Sequence, residues 1–376
     1  MTRRGHGEGA IYKRRDGRWA GVVDLGYETG KRRRKSYYGA TRREVQEKVA
    51  AALRARQQGL PILSDKLTLA TYLVDWLKTA QSSIRPRTWA RYEQYVRVHA
   101  TPTLGRVPLA KISPQHLQHL YRSRLDAGLS ATTVAHLHAV MHRALRQAER
   151  WGLVARNVVA LVDPPRGARR EMTTLSAEQA RALIHAAKDD RYGALYVVAV
   201  TSGMRQGELL GLRWRDVDLT AGTVHVRTTL QRAGDSLAFV EPKTSHSRRQ
   251  VLLTELAVSA MRRHRVAQTS ERLRLGAAWE DNDLVFANEI GRPVEASNLL
   301  RRSFLPLLRR AGIPRLRFHD LRHTAATLML GRGVHPKIVS EMLGHSQVGL
   351  TLDVYSHVTP TMQREAASAL DGLLHA

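Results

Sequence analysis

Apolar positions along the chain switch between two periods, and the switches divide it. Three strand-like runs, 10–14, 18–25 and 31–38, are separated by Asp16-Gly17 and by Glu28-Thr29-Gly30. Runs bounded by such turn residues predict three short strands. Thr41-Arg42-Arg43-Glu44 then has the form of a capping box and predicts a helix to about residue 57. Gly59-Leu60-Pro61 interrupts the pattern. From Thr68 the period becomes helical: Leu69, Tyr72, Leu73, Trp76 and Leu77 fall on one face, with Thr68 as the N-cap. The same period recurs over 87–99 with Trp89, Tyr92 and Val96, over 114–125 after Ser113, and over 130–151, the longest of the four. Four helices in so short a stretch predict a compact bundle.

Asp163-Pro164-Pro165-Arg166-Gly167 opens a stretch, 163–172, whose prolines, glycine and charge resist packing and read as a linker. Beyond it, Ser176 caps a predicted helix to about residue 188, and an apolar helix spans 194–201. Residues 217–228, 236–240 and 250–253 read as the strands of one small antiparallel sheet, followed by helices over 256–275 and 297–311. Leu321, Ala325, Leu328 and Met329 mark the buried stripe of a further helix that ends at Gly331 and Gly333. A second starts at Pro336 and closes at Gly344, and an amphipathic helix is expected over 359–374. The fold class expected is mainly α with small antiparallel sheets (α+β). Its parts are an N-terminal module over 1–60, a helical domain over 65–162, the linker, and a larger domain over 173–376.

Charge changes the picture. Lys and Arg number 60 against 33 Asp and Glu, a formal charge of +27, and residues 1–60 alone hold 16 basic and 6 acidic residues. Such an excess points to a polyanionic partner, nucleic acid first. No apolar run of about 18 residues and no signal-peptide core follows the Arg-rich start, so a soluble, cytoplasmic protein without a membrane partner is expected. The chain has no cysteine. Disulfides, thiolate nucleophiles and thiolate zinc sites are thereby excluded, and any covalent step must use oxygen or nitrogen.

Candidate chemistry collects in the last domain. Arg205 stands in Thr201-Ser202-Gly203-Met204-Arg205-Gln206-Gly207-Glu208, with Glu208 three positions on, where its carboxylate can orient the guanidinium. His319 and Arg322, also three apart in Phe318-His319-Asp320-Leu321-Arg322-His323, are expected on one face of a helix. His345 lies in Leu343-Gly344-His345-Ser346, Tyr355 ten residues later, and Lys243 in a loop, Glu241-Pro242-Lys243-Thr244. Arginine forks bind phosphate oxygens bidentately, histidines move protons near neutral pH, and a tyrosine phenolate is a nucleophile. Taken singly each has a plainer reading. Arg205 and Glu208 alone are an exposed pair worth about 0.2 to 0.5 kcal/mol, Tyr355 is a half-buried packing residue, and Lys243 a loop lysine. His319 and His323 have the spacing of metal ligands on a helix, but Asp320 replaces the metalloprotease Glu and no third ligand is evident. No metal and no cofactor is expected.

Taken together, these motifs resemble the tyrosine recombinases of the phage-integrase family. All six positions of that family's catalytic set find a match: Arg205, Lys243, His319, Arg322, His345 and Tyr355. The resemblance implies a multidomain DNA clamp, with 1–60 an arm-type DNA-binding module, 65–162 a core-binding domain and 173–376 the catalytic domain. It implies site-specific recombination of double-stranded DNA at attachment sites, by a homotetramer on synapsed DNA, with accessory bending and directionality factors. Tyr355 is implied as nucleophile, Lys243 as general acid and His319 as proton acceptor. Two other readings stay open at this point, a type IB topoisomerase and a DNA-binding architectural protein that keeps the fold without activity.

Overall fold

The structure is a computed structural model and describes residues 10–28, 31–57, 67–167, 172–234, 236–241, 248–344, 349, 367–368, 371 and 374–375. Two compact units divide the chain, residues 1–169 and 170–376.

The first unit holds two separate apolar clusters. Strands β1 (Ala10–Lys13), β2 (Trp19–Glu28) and β3 (Lys31–Gly39) form an antiparallel sheet in sequence order. The turn between β1 and β2 uses Gly17 at φ +80°, and Asp16 accepts from the Arg18 N–H at 3.2 Å. Helix α1 (Arg42–Gln57) lays Val45, Val49 and Ala52 on Val23. Its cap is as expected on one side, with Thr41 Oγ1 accepting from the Glu44 N–H at 3.2 Å. The return bond runs from the Ala40 N–H to Glu44, one residue earlier than a capping box places it.

The second cluster is built by α2 (Leu69–Gln81), α3 (Pro86–Gln94), a π-helical turn (Tyr95–Ala100), α4 (Thr101–Leu104), α5 (Pro114–Asp126) and α6 (Ala131–Arg150). Thr68, Ser113 and Ser130 each cap a helix by accepting an N–H three residues on. Leu69, Tyr72, Leu73, Trp76 and Leu77 are all buried. In the second helix the buried residues are Tyr95, Val96, Ala100 and Leu104, whereas Trp89 and Tyr92 stay half-buried. Both aromatic rings carry a polar end that must reach a partner or water. Trp89 Nε1 donates to the Leu77 carbonyl at 2.8 Å, and Tyr92 stacks on Trp76 at the edge of the cluster, 5.9 Å between centroids. The expected linker lies partly outside the described residues.

The second unit starts with α7 (Ala177–Ala186), capped by Ser176 and Gln179, and α8 (Gly193–Ser202), which is buried along almost its whole length. After α9 (Gln206–Leu210) come β4 (Val217–Asp218), β5 (Thr223–Val226), β6 (Thr229–Ala233), β7 (Ser236–Val240) and β8 (Arg249–Leu252). The single sheet expected here is two: β4-β5-β8 and the hairpin β6-β7. Residues 217–228 do not form one strand, because Asp218 accepts from the Thr220 and Ala221 N–H groups, both at 2.8 Å, and Gly222 takes φ +64°. That turn folds β5 back on β4 and releases β6 to pair with β7. Helices α10 (Glu255–Leu275), α11 (Ala296–Leu299) and α12 (Leu305–Arg310) complete the main core, and α13 (Asp320–Leu330) and α14 (Pro336–Leu343) follow. The helix expected over 359–374 falls almost entirely outside the described residues. Among the described residues no helix is long and apolar enough to cross a membrane.

Candidate active site

Helix α8 has no polar face, so its C-terminus is carried deep into the unit, where Gly203 ends it at φ +65°. A Cβ at this position would lie 2.4 Å from Leu343 Cδ2, so only glycine permits both the left-handed turn and the approach of α14. Two residues later Arg205 becomes the N-cap of α9.

Glu208, in the first turn of α9, is 3% exposed. Its Oε2 accepts from the Arg205 N–H at 2.9 Å and its Oε1 from Arg205 Nη1 at 2.7 Å. Arg249, whose side chain is 7% exposed, donates Nη2 to Glu208 Oε2 at 3.0 Å from the other side. Burial by itself would raise the Glu208 pKa, but the Arg249 charge and hydrogen bond, then the Arg205 N–H and charge, outweigh it and hold the carboxylate below its usual range. Arg205, itself partly exposed, is therefore tied to a buried carboxylate shared with Arg249, and the two do not form the exposed pair their spacing alone allows.

Phe318 packs into an aromatic cluster with Tyr196 and Phe304, at centroid distances of 6.3 and 5.3 Å. With Phe318 fixed inward, His319 follows at the mouth of α13. The helix begins at Asp320, so His319 is its N-cap residue and does not sit within the helix as expected. Asp320 is 2% exposed and accepts from the Arg317 N–H at 2.7 Å and from Arg317 Nη2 at 2.7 Å. Thr324 donates to the Asp320 carbonyl at 2.9 Å and accepts from the Leu175 N–H at 3.0 Å. The buried side of α13 is accordingly wider than the expected stripe: Arg322, Thr324, Ala326 and Leu330 join Leu321 and Ala325, while Leu328 and Met329 are half-buried.

Arg322 is 3% exposed and donates Nη1 to the Gly203 carbonyl at 2.9 Å. Arg322 thus reaches, from a distant part of the chain, the turn that leads into Arg205. His319 lies in the field of both arginines. Its pKa is pushed down to about 4, first by loss of hydration against the surrounding protein and then by His323, Arg322, Arg205 and Arg317. The ring keeps an open edge and meets the His323 ring edge-on at 4.9 Å. At neutral pH this imidazole is uncharged.

Arg205 Nη2 also donates to the Gly344 carbonyl at 3.1 Å, at the left-handed cap of α14, where φ is +68°. His345 is the next residue in the chain. His345, Lys243 and Tyr355 lie outside the described residues. Among the described residues no group of three or more His, Asp or Glu side chains is placed to hold a metal ion.

Arg249 did not emerge from the sequence, where the strand was expected to begin one residue later. The signal was present: in an alternating strand Arg249 shares the face of Val251, which is fully buried. An arginine on the inward face needs an anion inside, and Glu208 is that anion.

The pattern of the phage integrase family matches residues 173–362, and that of a phage integrase N-terminal SAM-like domain matches 68–125. A tyrosine recombinase XerC-like protein of Caldanaerobacter subterraneus subsp. tengcongensis is 31% identical over 92% of this chain and 93% of its own length. The chain belongs to the phage integrase family of tyrosine recombinases. It is thus an enzyme of site-specific DNA recombination. An integrase of Streptomyces ambofaciens is also 31% identical to this recombinase, over 99% of the chain and 97% of its own. The Tn1549 transposon integrase, solved with transposon right-end DNA, has the same fold, with a TM-score of 0.70 at 19% identity over 81% of this chain and 100% of that one. A lambda integrase tetramer bound to a Holliday junction gives 0.56 at 19% identity, over 90% and 95%.

Proposed function

We propose that Arg205, Lys243, His319, Arg322, His345 and Tyr355 act as one catalytic set for transesterification at a phosphodiester of double-stranded DNA. The Tyr355 phenolic oxygen attacks phosphorus as its proton passes to His319. The bond from phosphorus to the 5′ oxygen breaks, and Lys243 supplies the proton that oxygen needs. The product is a 3′-phosphotyrosyl ester, which conserves the bond energy without ATP, and attack by the hydroxyl of a partner strand reverses the step. Negative charge grows on the nonbridging oxygens in the transition state, so preorganised donors supply most of the acceleration. Arg205 and Arg322, with His345, hold that charge. The observation that carries this reading is that Arg322 bonds the Gly203 turn leading into Arg205, and that both arginines act on a neutral His319.

The recombinase acts, in this proposal, at the attachment sites of a phage or integrative element, as a tetramer on synapsed DNA with accessory bending and directionality factors. Residues 1–60 bind arm-type sites, 65–162 bind the core site, and 173–376 carry the chemistry. A nicked suicide substrate tests the chemistry. Wild-type protein should leave a covalent protein–DNA adduct on a denaturing gel and Tyr355→Phe none; an adduct with the variant overturns the assignment. Two marked duplexes should yield a joined product, whereas relaxation of one duplex without joining would make the enzyme a topoisomerase. Deleting residues 1–60 should weaken binding at accessory sites and spare cleavage at a core site; equal loss of both contradicts the division. With about 6 to 10 phosphate contacts, affinity should fall some 10³- to 10⁵-fold between 50 and 200 mM salt.

A further inference from the structure

Two arginines, and not one, hold the end of the helix that leads to His345. Arg205 Nη2 donates to the Gly344 carbonyl at 3.1 Å and Arg249 Nε donates to the Met342 carbonyl at 2.6 Å. The last carbonyls of a helix have no partner within the helix and carry its negative end, so both contacts are favourable. Both guanidiniums are tied in turn to the same carboxylate, Glu208, which is nearly inaccessible. Gly344 completes the arrangement: a Cβ on it would lie 3.0 Å from Arg249 Nη1 and 3.1 Å from its Cδ, in a left-handed conformation that already favours glycine.

We infer that Arg249 is a positioning residue for the strand-transfer reaction. Through Glu208 it sets the direction of the Arg205 guanidinium, and through Met342 it fixes where the chain leaves α14 toward His345. The inference rests on the catalytic set proposed above. Arg249 touches neither DNA nor the reacting atoms in this role; it acts through Arg205 and through the helix end. The fork shape is what the position requires. One guanidinium spans Glu208 and Met342 at once from a stem only 7% exposed, whereas a lysine ammonium can hold one of the two. Without Arg249, Glu208 would have Arg205 alone as counter-charge. It would then draw that guanidinium toward itself and away from a bound phosphate. Misplacement of a catalytic group by about 1 Å costs on the order of 10²-fold in rate.

The full-length protein is tested on the nicked suicide substrate in single turnover, reading separately the adduct amplitude, the rate constant and the noncovalent DNA affinity. Arg249→Lys should keep the amplitude and the affinity within about twofold of wild type and lower the rate constant about 10²-fold. Glu208→Gln should lower it too, and the double variant should react about as slowly as the worse single one, because both changes break one chain of contacts. A purely structural role predicts the reverse, a smaller amplitude with an unchanged rate constant in the molecules that remain active. That result overturns the inference, as does failure of both single variants to give wild-type circular dichroism. If the wild-type protein itself forms no adduct, the catalytic reading fails. If the wild type reacts and Arg249→Lys matches its rate constant, only the role of Arg249 fails.

Discussion

The helical bundle over residues 69–162 and the region over 175–344 are packed on different terms. Among the described residues the bundle buries one polar side chain, Asn157, while the second region buries nine, including Glu208, Asp216, Asp320 and Arg322. Burying an unpaired charge costs several kcal/mol, so each must have its counterpart at hand. Three of those four have an opposite charge beside them, Arg205 and Arg249 for Glu208, Arg227 at 3.5 Å for Asp216 and Arg317 for Asp320, and Arg322 donates to the Gly203 carbonyl. Replacing such networks by apolar packing is often neutral or stabilising in other proteins, so stability alone does not account for them. Those of Glu208 and Arg322 lie where the proposed chemistry needs arginines held in place. The bundle needs only shape, and apolar packing supplies it.

Four substitutions or measurements break or sharpen this contrast. Arg322→Lys keeps the charge but loses the fork, and should slow adduct formation about 10²- to 10³-fold, read in single turnover, with the unfolding midpoint in urea little changed. Leu137→Ala, in the fully buried centre of α6, should do the opposite: about 2 to 5 kcal/mol of stability lost in urea titration, and no change in the cleavage rate constant at saturating DNA. Asn157→Ala removes the bond from its Nδ2 to the His142 carbonyl and the bond its Oδ1 accepts from the Val159 N–H. It should cost about 1 to 3 kcal/mol of stability, less than Leu137→Ala, and again leave the rate alone. If Arg322→Lys unfolds the protein and Leu137→Ala slows the reaction, the contrast is wrong.

The smallest effect concerns pH. A histidine whose folded pKa lies near 4 binds fewer protons than the unfolded chain, where the value is about 6.5. Its share of stability is therefore complete above pH 6.5 and is lost as pH falls from there toward 4. In the DNA-free protein the His319 imidazole should titrate near 4 by NMR, and His319→Gln should flatten the stability profile across that window. Titration near 6.5 would remove the proposed proton acceptor from its cationic setting.

Much of the bundle was legible because its determinants are local. The apolar spacing of Leu69 to Leu77 and the caps Thr68, Ser113 and Ser130 act within one or two helical turns, so pattern and structure coincide there. In the larger region the helices were legible and the sheet was not. Residues 217–228 do carry turn residues at Asp218 and Gly222, but which strands pair on either side of that turn depends on β7 and β8.

The chain's order of residues, by itself, determined the apolar periods, the caps, the excess of positive charge and the short motifs that place it in its family. All of these are properties of neighbours in the chain. Only the tertiary structure decided that Arg322 bonds the Gly203 turn leading into Arg205, that Glu208 is shared by Arg205 and Arg249, and that the pKa of His319 is pushed down. Those depend on which distant groups share a low-dielectric interior, where a charge is tolerated only with its partner beside it.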